Sequence, residues 1–474
     1  MSTILGRDVV QQVLDVPADR LAAVIGSWHQ PALLESAPGF GAAGRWSILT
    51  AMPGLIFEAT DNRWWLGDYG VAQQGEGNVL GKLGWLTRRL GLAETTESPD
   101  PDLPPFQGGF IGTIGYDFAP QLEHLPRRRD RDSRMPDIRL AFYHTAVTVD
   151  HRSGRVQVWS WIVPGRDRAM AERTCHSWKE RIERQLESAR PEAVHPREPA
   201  RLVSSLDRAT YLEAVGRVRE YIAAGDVYQV NLSQRFTARG RYDPLELYLR
   251  LKQHSPAPFA AFLRWGELAV VSASPEWFYQ TRGDRIVTRP IKGTRPRGRD
   301  AAEDARLAAE LMAAPKDRAE LTMIVDLERN DLGRVCRYGS VRVSDPVRVE
   351  SFAQVHHLVA TVEGRLRPDA GPDDILRAVF PGGSITGAPK IRAMEIIDEL
   401  EPNRRSLYTG AIGYLSRGGA SGFNIAIRTI LVEGDRASYQ VGGGIVADSD
   451  PEAEYEETLA KGRGMQRVLT GEAS

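Results

Sequence analysis

The chain predicts an α+β fold, on three observations. Short apolar groups alternate with polar residues through the first 185 residues, as in Ala146-Val-Thr-Val149 and Arg155-Val-Gln-Val-Trp-Ser-Trp161, which is the period of half-buried strands. From Asp207 onward, capped helical stripes are interleaved with further strands. A length of 474 residues exceeds one core and calls for two or three packed units.

The 61 basic and 62 acidic side chains nearly cancel, so no global field points to nucleic acid or to an anionic membrane, and any specificity is local. Cys175 and Cys336 stand apart without metal-ligand spacing, which suits a reducing compartment. The N-terminal stretch lacks a basic-then-apolar pattern and no run approaches a membrane span. The expectation is a soluble cytoplasmic protein.

In the strand-rich first half, Pro31-Ala-Leu-Leu-Glu-Ser36 followed by Gly44-Arg-Trp-Ser47 reads either as the wall of a small-molecule pocket or as a strand with an amphipathic edge. Gly108-Gly-Phe-Ile-Gly-Thr-Ile-Gly-Tyr-Asp117 permits close backbone packing, and no Lys-Ser/Thr follows to make it a phosphate loop. Residues 92–105 and 127–134 read as exposed loops, and the Pro/Arg/Glu/Ala-rich residues 186–205 as a linker. The expected domains are therefore 1–185 and 206–469.

The second half opens with a helix capped by Asp207, striped by Tyr211, Val215, Val218 and Ile222, and ended by Gly225. In the following strand Gln229, Asn231 and Ser233 share one face, which fits either a site wall or a solvated surface. Residues 268–276 read as a buried strand ending in the Glu276 carboxylate, and residues 286–292 as its hairpin neighbour across Gly283-Asp284, so Glu276 and Lys292 are expected at one sheet end. In Arg289-Pro-Ile-Lys-Gly-Thr-Arg-Pro-Arg-Gly298, two prolines and two glycines suggest an irregular turn crowded with four cationic side chains. Lys292 lies there between Ile291, which can exclude water, and Gly293, which does not hinder approach. That setting suits a nucleophilic amine, while an ordinary basic loop explains the same residues. A carboxyl beside such an amine can protonate a leaving hydroxyl as the amine attacks, or can merely form a surface ion pair.

Two helices carry acids at short spacing: Asp317 and Glu320 on one, and Glu454, Glu457 and Lys461 on another, started by Asp450 and Pro451. Each reads alone as a solvated face; together they offer oxygen ligands to a hard cation such as Mg2+. Pro381-Gly-Gly-Ser-Ile-Thr-Gly-Ala-Pro-Lys390 leads into a helix expected to bury Ile391, Met394 and Ile397, whose free amides suit a carboxylate. A strand over residues 423–431 would set Arg428 among apolar residues, as a receptor for an anion. Gly442-Gly-Gly444 would let a ligand approach the backbone, and Tyr408 adds a hydroxyl. These features describe a site for a small dianion.

Residues 206–469 resemble the chorismate-binding catalytic domain shared by anthranilate, isochorismate, salicylate and aminodeoxychorismate synthases, and the first half is similar to the N-terminal domain of the first and last of these. The resemblance implies an anthranilate-synthase-component-I-like fold of packed, largely antiparallel sheets surrounded by helices. Within the family, Pro290-Ile-Lys-Gly-Thr294 resembles the aminodeoxychorismate synthase branch, which typically has lysine where anthranilate synthases have alanine. Gly383-Ser-Ile-Thr-Gly-Ala-Pro-Lys390, Ile412-Gly-Tyr-Leu415 and Gly442-Gly-Gly-Ile-Val-Ala-Asp-Ser449 are also similar to that branch. Gln229 replaces the lysine with which isochorismate and salicylate synthases activate water.

The resemblance implies that Lys292 attacks ring C2 of chorismate while Glu276 protonates the C4 hydroxyl, after which ammonia adds at C4 and yields 4-amino-4-deoxychorismate, a folate precursor. It implies Mg2+ at Glu320 and Glu457 with Glu454 and Asp317 nearby, and the enolpyruvyl carboxylate at Tyr408 and Arg428. The ring carboxylate would meet Gly442, Gly443, Gly444 and Lys461, with Thr294 and His357 along the ring. No Gly-x-Cys-x-Gly nucleophile occurs, so a separate glutamine amidotransferase subunit is implied as the ammonia source. Leu34, Glu35 and Ser36 with Arg45, Trp46 and Ser47 resemble the tryptophan pocket that feedback-regulates anthranilate synthases and holds structural tryptophan in some aminodeoxychorismate synthases. Anthranilate synthesis, a non-catalytic tryptophan-binding subunit and a pyridoxal-phosphate enzyme using Lys292 are the competing readings.

Overall fold

The computed structural model describes residues 9–68, 71–93, 102–162, 167–188, 201–352 and 355–471. Most of the expected linker, residues 189–200, and residues 94–101 of the acidic loop lie outside them. Among the described residues, the strands form two twelve-stranded sheets with antiparallel pairing throughout.

The first sheet runs from Val9–Leu14 through Arg155–Trp161, Thr145–Asp150, Trp46–Thr50 and Ala32–Glu35 to Phe259–Trp265, Leu268–Ser274, Thr429–Glu433, Arg436–Ile445 and Gln229–Arg239. The second runs from Ile291–Pro296 through Val355–Arg365, Arg285–Arg289, Trp277–Arg282, Ser421–Ile425 and Ala411–Ser416 to Gly109–Ile114, Ile138–Tyr143, Leu55–Thr60, Arg63–Gly67 and Ala72–Glu76. Each sheet is continuous across both halves of the chain: Leu34 pairs with Ala261 in one, and Gly112 with Gly413 in the other.

The sheets face each other across a cluster holding Ala32, Ile48, Ala261 and Val270 from one and Ile111, Ala141, Ile412 and Tyr414 from the other. The outer face of the first packs on helices Leu21–Gly26, Arg168–Ser188, Pro244–His254 and Pro451–Thr470. That of the second packs on Val79–Arg89, Pro315–Gly333 and Pro372–Val379. Central strands are therefore covered on both sides. In Leu268–Ser274, Ala269, Val271 and Ala273 face the helices while Val270 faces the other sheet, so the strand reads as a largely apolar run broken by Ser272.

The helix Arg208–Ala223 forms as its pattern predicts: Asp207 accepts from Thr210 N at 2.8 Å, and Gly225 follows the end with φ 83°. Five local expectations change. Residues 268–276 and 286–292 are not a hairpin, because Pro275 has no N–H for the ladder and the chain leaves the first sheet there. The hairpin across Gly283-Asp284 is Trp277–Arg282 with Arg285–Arg289, in the second sheet. The basic stretch is a strand, Ile291–Pro296, with its pairing irregularity between Lys292 and Thr294, where Gly293 has φ 71°.

Residues 423–431 likewise divide: Ser421–Ile425 belongs to the second sheet and Thr429–Glu433 to the first, so Arg428 sits in the crossover with φ 49°, reached by solvent although burial of its guanidinium still lowers its pKa. In Lys390–Leu400 the buried stripe is Ala393, Met394, Ile396 and Ile397, whereas Ile391 in the first turn is 43% exposed. Residues 127–134 are more than an exposed loop. They strap the second half, with Arg129 donating to the carbonyls of Glu399 and Glu401 and Ser133 donating to Glu433.

Candidate active site

The two crossovers lie side by side, since Ala273 N donates to Arg428 O at 3.0 Å and Ile425 N to Glu276 O at 3.1 Å. Glu276 is thus fixed at the point where the chain passes between sheets. Its side chain is 9% exposed and accepts from Ser384 Oγ at 2.7 Å. Burial raises its pKa above the usual carboxyl value, only partly opposed by the Ser384 hydrogen bond and the Lys292 charge.

Lys292 reaches the same residue from the opposite side, its Nζ donating to the Ser384 carbonyl at 3.3 Å and pairing with Glu320 Oε1 at 2.9 Å. Glu320 also accepts from Gln229 Nε2 at 2.7 Å. Burial pushes the Glu320 pKa upward, but Lys292 and Gln229 outweigh it and the net shift is downward. Among the described residues Gln229 Oε1 is buried without a partner. The polar face of Gln229–Arg239 is therefore a buried wall, with Gln229, Asn231 and Ser233 all 9% exposed or less.

Gly442–Gly444 pairs with that wall, from Ser233 opposite Gly442 to Asn231 opposite Gly444. A Cβ at Gly443 would lie 3.1 Å from Glu454 Oε2 and 4.0 Å from Glu457 Oε1, and one at Gly444 would lie 3.3 Å from Glu320 Oε1. The glycines thus let carboxylates from two helices converge on one strand. Lys461 donates to Gly442 O at 3.0 Å and pairs with Glu457 at 2.7 Å. Glu454 accepts from Ser449 at 2.6 Å, and burial raises its pKa. Asp317 turns elsewhere, toward Arg295 at 3.2 Å. Among the described residues no group of three or more His, Cys, Asp or Glu side chains is arranged to hold a metal ion.

On the remaining sides, Thr294 Oγ1 and His357 Nδ1 lie 3.0 Å apart, and burial lowers the His357 pKa to about 4, so the ring is neutral near pH 7. Tyr408 is 9% exposed, and burial raises its pKa to about 12, against the opposing charge of Arg405. Thr409 N donates to Ala426 O at 2.9 Å, which sets the Tyr408 turn against the Arg428 crossover. Among the described residues the Arg428 guanidinium has no hydrogen bond or ion pair; burial lowers its pKa, and the charge of Glu276 opposes that.

Arg405 is a site residue absent from the sequence expectations. Its buried guanidinium donates to Ile385 O at 3.0 Å and Thr409 Oγ1 at 3.2 Å, bonds Asn231 O, and pairs with buried Glu401 at 2.7 Å. Glu401 in turn accepts from Ser233 N at 2.9 Å. One ion pair thus ties the polar wall, the Ser384 turn and the Tyr408 turn together. Its available signal was the four-residue spacing of Glu401 and Arg405. Ser384 lies within Gly383–Lys390, where no local pattern distinguishes it.

Leu34, Glu35, Ser36 and Trp46 line a separate cavity of about 120 Å3 with Phe259, Trp277 and Asn424. Arg45 and Ser47 stand behind that lining: Arg45 pairs with Asp150 at 3.1 Å, and Ser47 meets His151 at 2.8 Å. Glu35 is taken by Tyr248 at 2.6 Å and Lys252 at 2.7 Å.

The profile of the chorismate binding enzyme family matches residues 59–467. The chain belongs to that family. Chorismate-binding relatives carry two names at similar distance. The chain is 44% identical over 369 residues to anthranilate synthase component 1 of Thermus thermophilus, covering 78% of this chain and 79% of the relative. It is 47% identical over 382 residues to aminodeoxychorismate synthase component 1 of Klebsiella aerogenes, covering 81% of each. The crystal structure of anthranilate synthase component I from Streptococcus pneumoniae superposes with a TM-score of 0.77 at 32% identity, covering 92% of this chain and 94% of that one. The α+β architecture of packed antiparallel sheets within helices is that of the chorismate-binding family, and the chain is an enzyme acting on chorismate.

Proposed function

We propose that the chain is aminodeoxychorismate synthase component I, which converts chorismate and ammonia to 4-amino-4-deoxychorismate for 4-aminobenzoate and folate synthesis. The observation that carries this reading is the meeting of Lys292 and the buried acid Glu276 on one residue, Ser384. In the proposed first step Lys292, having released its ammonium proton to solvent, bonds through its free amine to ring C2; the C1–C2 and C5–C6 double bonds shift to C1–C6 and C4–C5, and the C4 hydroxyl leaves as water with the proton of Glu276. Ammonia then bonds to C4 and the C2–N bond to lysine breaks. Dividing one difficult substitution in two is what a covalent intermediate accomplishes. The raised pKa of Glu276 supports its acid role, because a carboxyl must still hold its proton near the working pH.

Tyr408 and the unpaired Arg428 suit the enolpyruvyl carboxylate, and the Gly442–Gly444 backbone with Lys461 suits the ring carboxylate. Thr294 and neutral His357 would border the ring. Glu320 and Glu457, with Glu454 beside them, are hard oxygen donors around two glycines. That set fits Mg2+, which keeps several waters and takes few protein carboxylates. When bound, the cation would neutralise a substrate carboxylate; Asp317, held by Arg295, is the weaker candidate. A glutamine amidotransferase subunit would supply ammonia, in keeping with relatives named as component 1. The Leu34–Trp46 cavity suits tryptophan. Two buried, unpaired cysteines accord with a cytoplasmic location.

Anthranilate synthesis is the second reading, because relatives of that name are equally similar. Incubation with chorismate, Mg2+ and ammonium separates the two. A non-fluorescent amino-chorismate of the expected mass, with turnover reduced at least about 100-fold in Lys292→Ala, supports the proposal. Fluorescent anthranilate from the wild type overturns it.

A further inference from the structure

Ser384 hydrogen-bonds both members of the reacting pair, and it does so with different groups. Its hydroxyl donates to Glu276 Oε1 at 2.7 Å, while its carbonyl accepts from Lys292 Nζ at 3.3 Å. The residue is 7% exposed, in the short helical turn Gly383–Ile385. That turn is held from several directions. Thr386 Oγ1 donates to Gly382 O at 3.0 Å, Asn231 N to Thr386 O at 2.8 Å, and Arg405 to Ile385 O at 3.0 Å. The Gly383 Cα leaves no room for a side chain, because one would strike Leu327. Glu276 is fixed from its own side, its N–H donating to Ser274 Oγ at 3.3 Å.

We propose that Ser384 is a positioning residue which holds acid and nucleophile in one frame and, by donating to Oε1 of Glu276, directs the transferable proton to Oε2. The inference rests on the acid and nucleophile roles assigned above to Glu276 and Lys292. A carboxyl that accepts a hydrogen bond at one oxygen carries its own proton on the other. The proton on Oε2 passes to the departing C4 hydroxyl, which leaves as water. The same hydroxyl of Ser384 then stabilises the carboxylate that remains. Held by the same residue, the Lys292 amine and the acid approach the ring in a constant relative geometry, and misplacement of such groups by about 1 Å costs on the order of 100-fold in rate.

The charged and titratable groups around Glu276 are Lys292 on its strand, Arg428 on the neighbouring crossover, Lys461 on the C-terminal helix, Glu328 on Pro315–Gly333, and Tyr408. None of them replaces a hydroxyl donor at Oε1. The experiment follows chorismate consumption with ammonium and Mg2+ across pH for the wild type and for Ser384→Ala, Ser384→Thr and Ser384→Cys. Reading substrate loss keeps the test independent of whether the product is aminodeoxychorismate or anthranilate.

Ser384→Ala should lower kcat about 10- to 100-fold with KM within about twofold. The alkaline limb of kcat/KM should move to higher pH, because the carboxylate loses a stabilising donor and the acid stays protonated longer. Ser384→Thr should restore most of the rate. If the alanine variant does not fold, Ser384→Cys, which keeps the volume but weakens the donor, should show a smaller loss and a limb moved in the same direction. A kcat within about twofold of wild type in Ser384→Ala or Ser384→Cys with an unmoved limb overturns the assignment, as does a threonine variant no better than alanine. Anthranilate as product overturns the proposed activity and leaves the role of Ser384 readable; a wild type that consumes no chorismate overturns both.

Discussion

Glu276 and Glu320 both feel the charge of Lys292, yet their pKa values move in opposite directions. Burial raises both. Glu320 is rescued by a direct ion pair and a donated amide, whereas Glu276 receives one neutral hydroxyl. That difference separates an acid from an anionic anchor, and it is invisible in a list of residue types. His357 makes a second case, with its pKa lowered by burial from 6.5 to about 4. Between those values the unfolded chain binds a proton that the folded chain refuses. Stability is therefore full above about pH 6.5 and falls as pH drops toward 4, by up to about 3 kcal/mol from this residue. Urea unfolding at pH 7 and pH 4.5 should show wild type losing more stability between the two than His357→Gln. Equal losses would refute the assignment. The sequence marked Lys292 and Glu276 at a glycine-flanked turn and a strand end, Glu320 and Glu457 by the short spacing of acids on two helices, and Arg428 as a charge within an apolar pattern. It could not reveal that Asp317 turns to Arg295, since helical spacing sets a face but not a partner.

At the scale of elements, the site is assembled where two strands leave one sheet for the other, at Pro275-Glu276 and at residues 426–428. Apolar-rich sequence concealed the change of sheet at both places, because strands buried on both faces look alike whichever sheet they join. Arg405 and Glu401 hold the surrounding turns in register. Arg405→Met would leave Glu401 buried without its cation, and removal of one partner of such a pair costs about 3–5 kcal/mol. The expected outcome is a lowered urea midpoint together with a fall in chorismate turnover larger than loss of folded protein explains, because the Ser384 and Tyr408 turns lose their common anchor. A variant with wild-type turnover per folded molecule would show that the anchor is dispensable for chemistry.

For the whole molecule, continuity of both sheets across the two halves of the chain predicts that unfolding is a single cooperative event. Gly413 sits at that join, and a side chain there would overlap the Gly422 carbonyl. Gly413→Ala should lower the calorimetric Tm of the entire chain, at a cost of about 1–3 kcal/mol, without creating a second transition. Two separated transitions would mean that the halves fold as independent units. By itself the sequence determined the α+β class, the capped helices, the close-packed glycine strand and most charged members of the site. These depend on local period, capping and backbone freedom, which neighbouring residues specify. Only the tertiary structure decided that the sheets are shared by both halves, that the chain crosses between them at Glu276 and Arg428, and that Ser384 and Arg405 join the pieces. Those facts depend on contacts between residues distant in sequence, and neither the period of a strand nor the identity of a side chain records which partner it will meet.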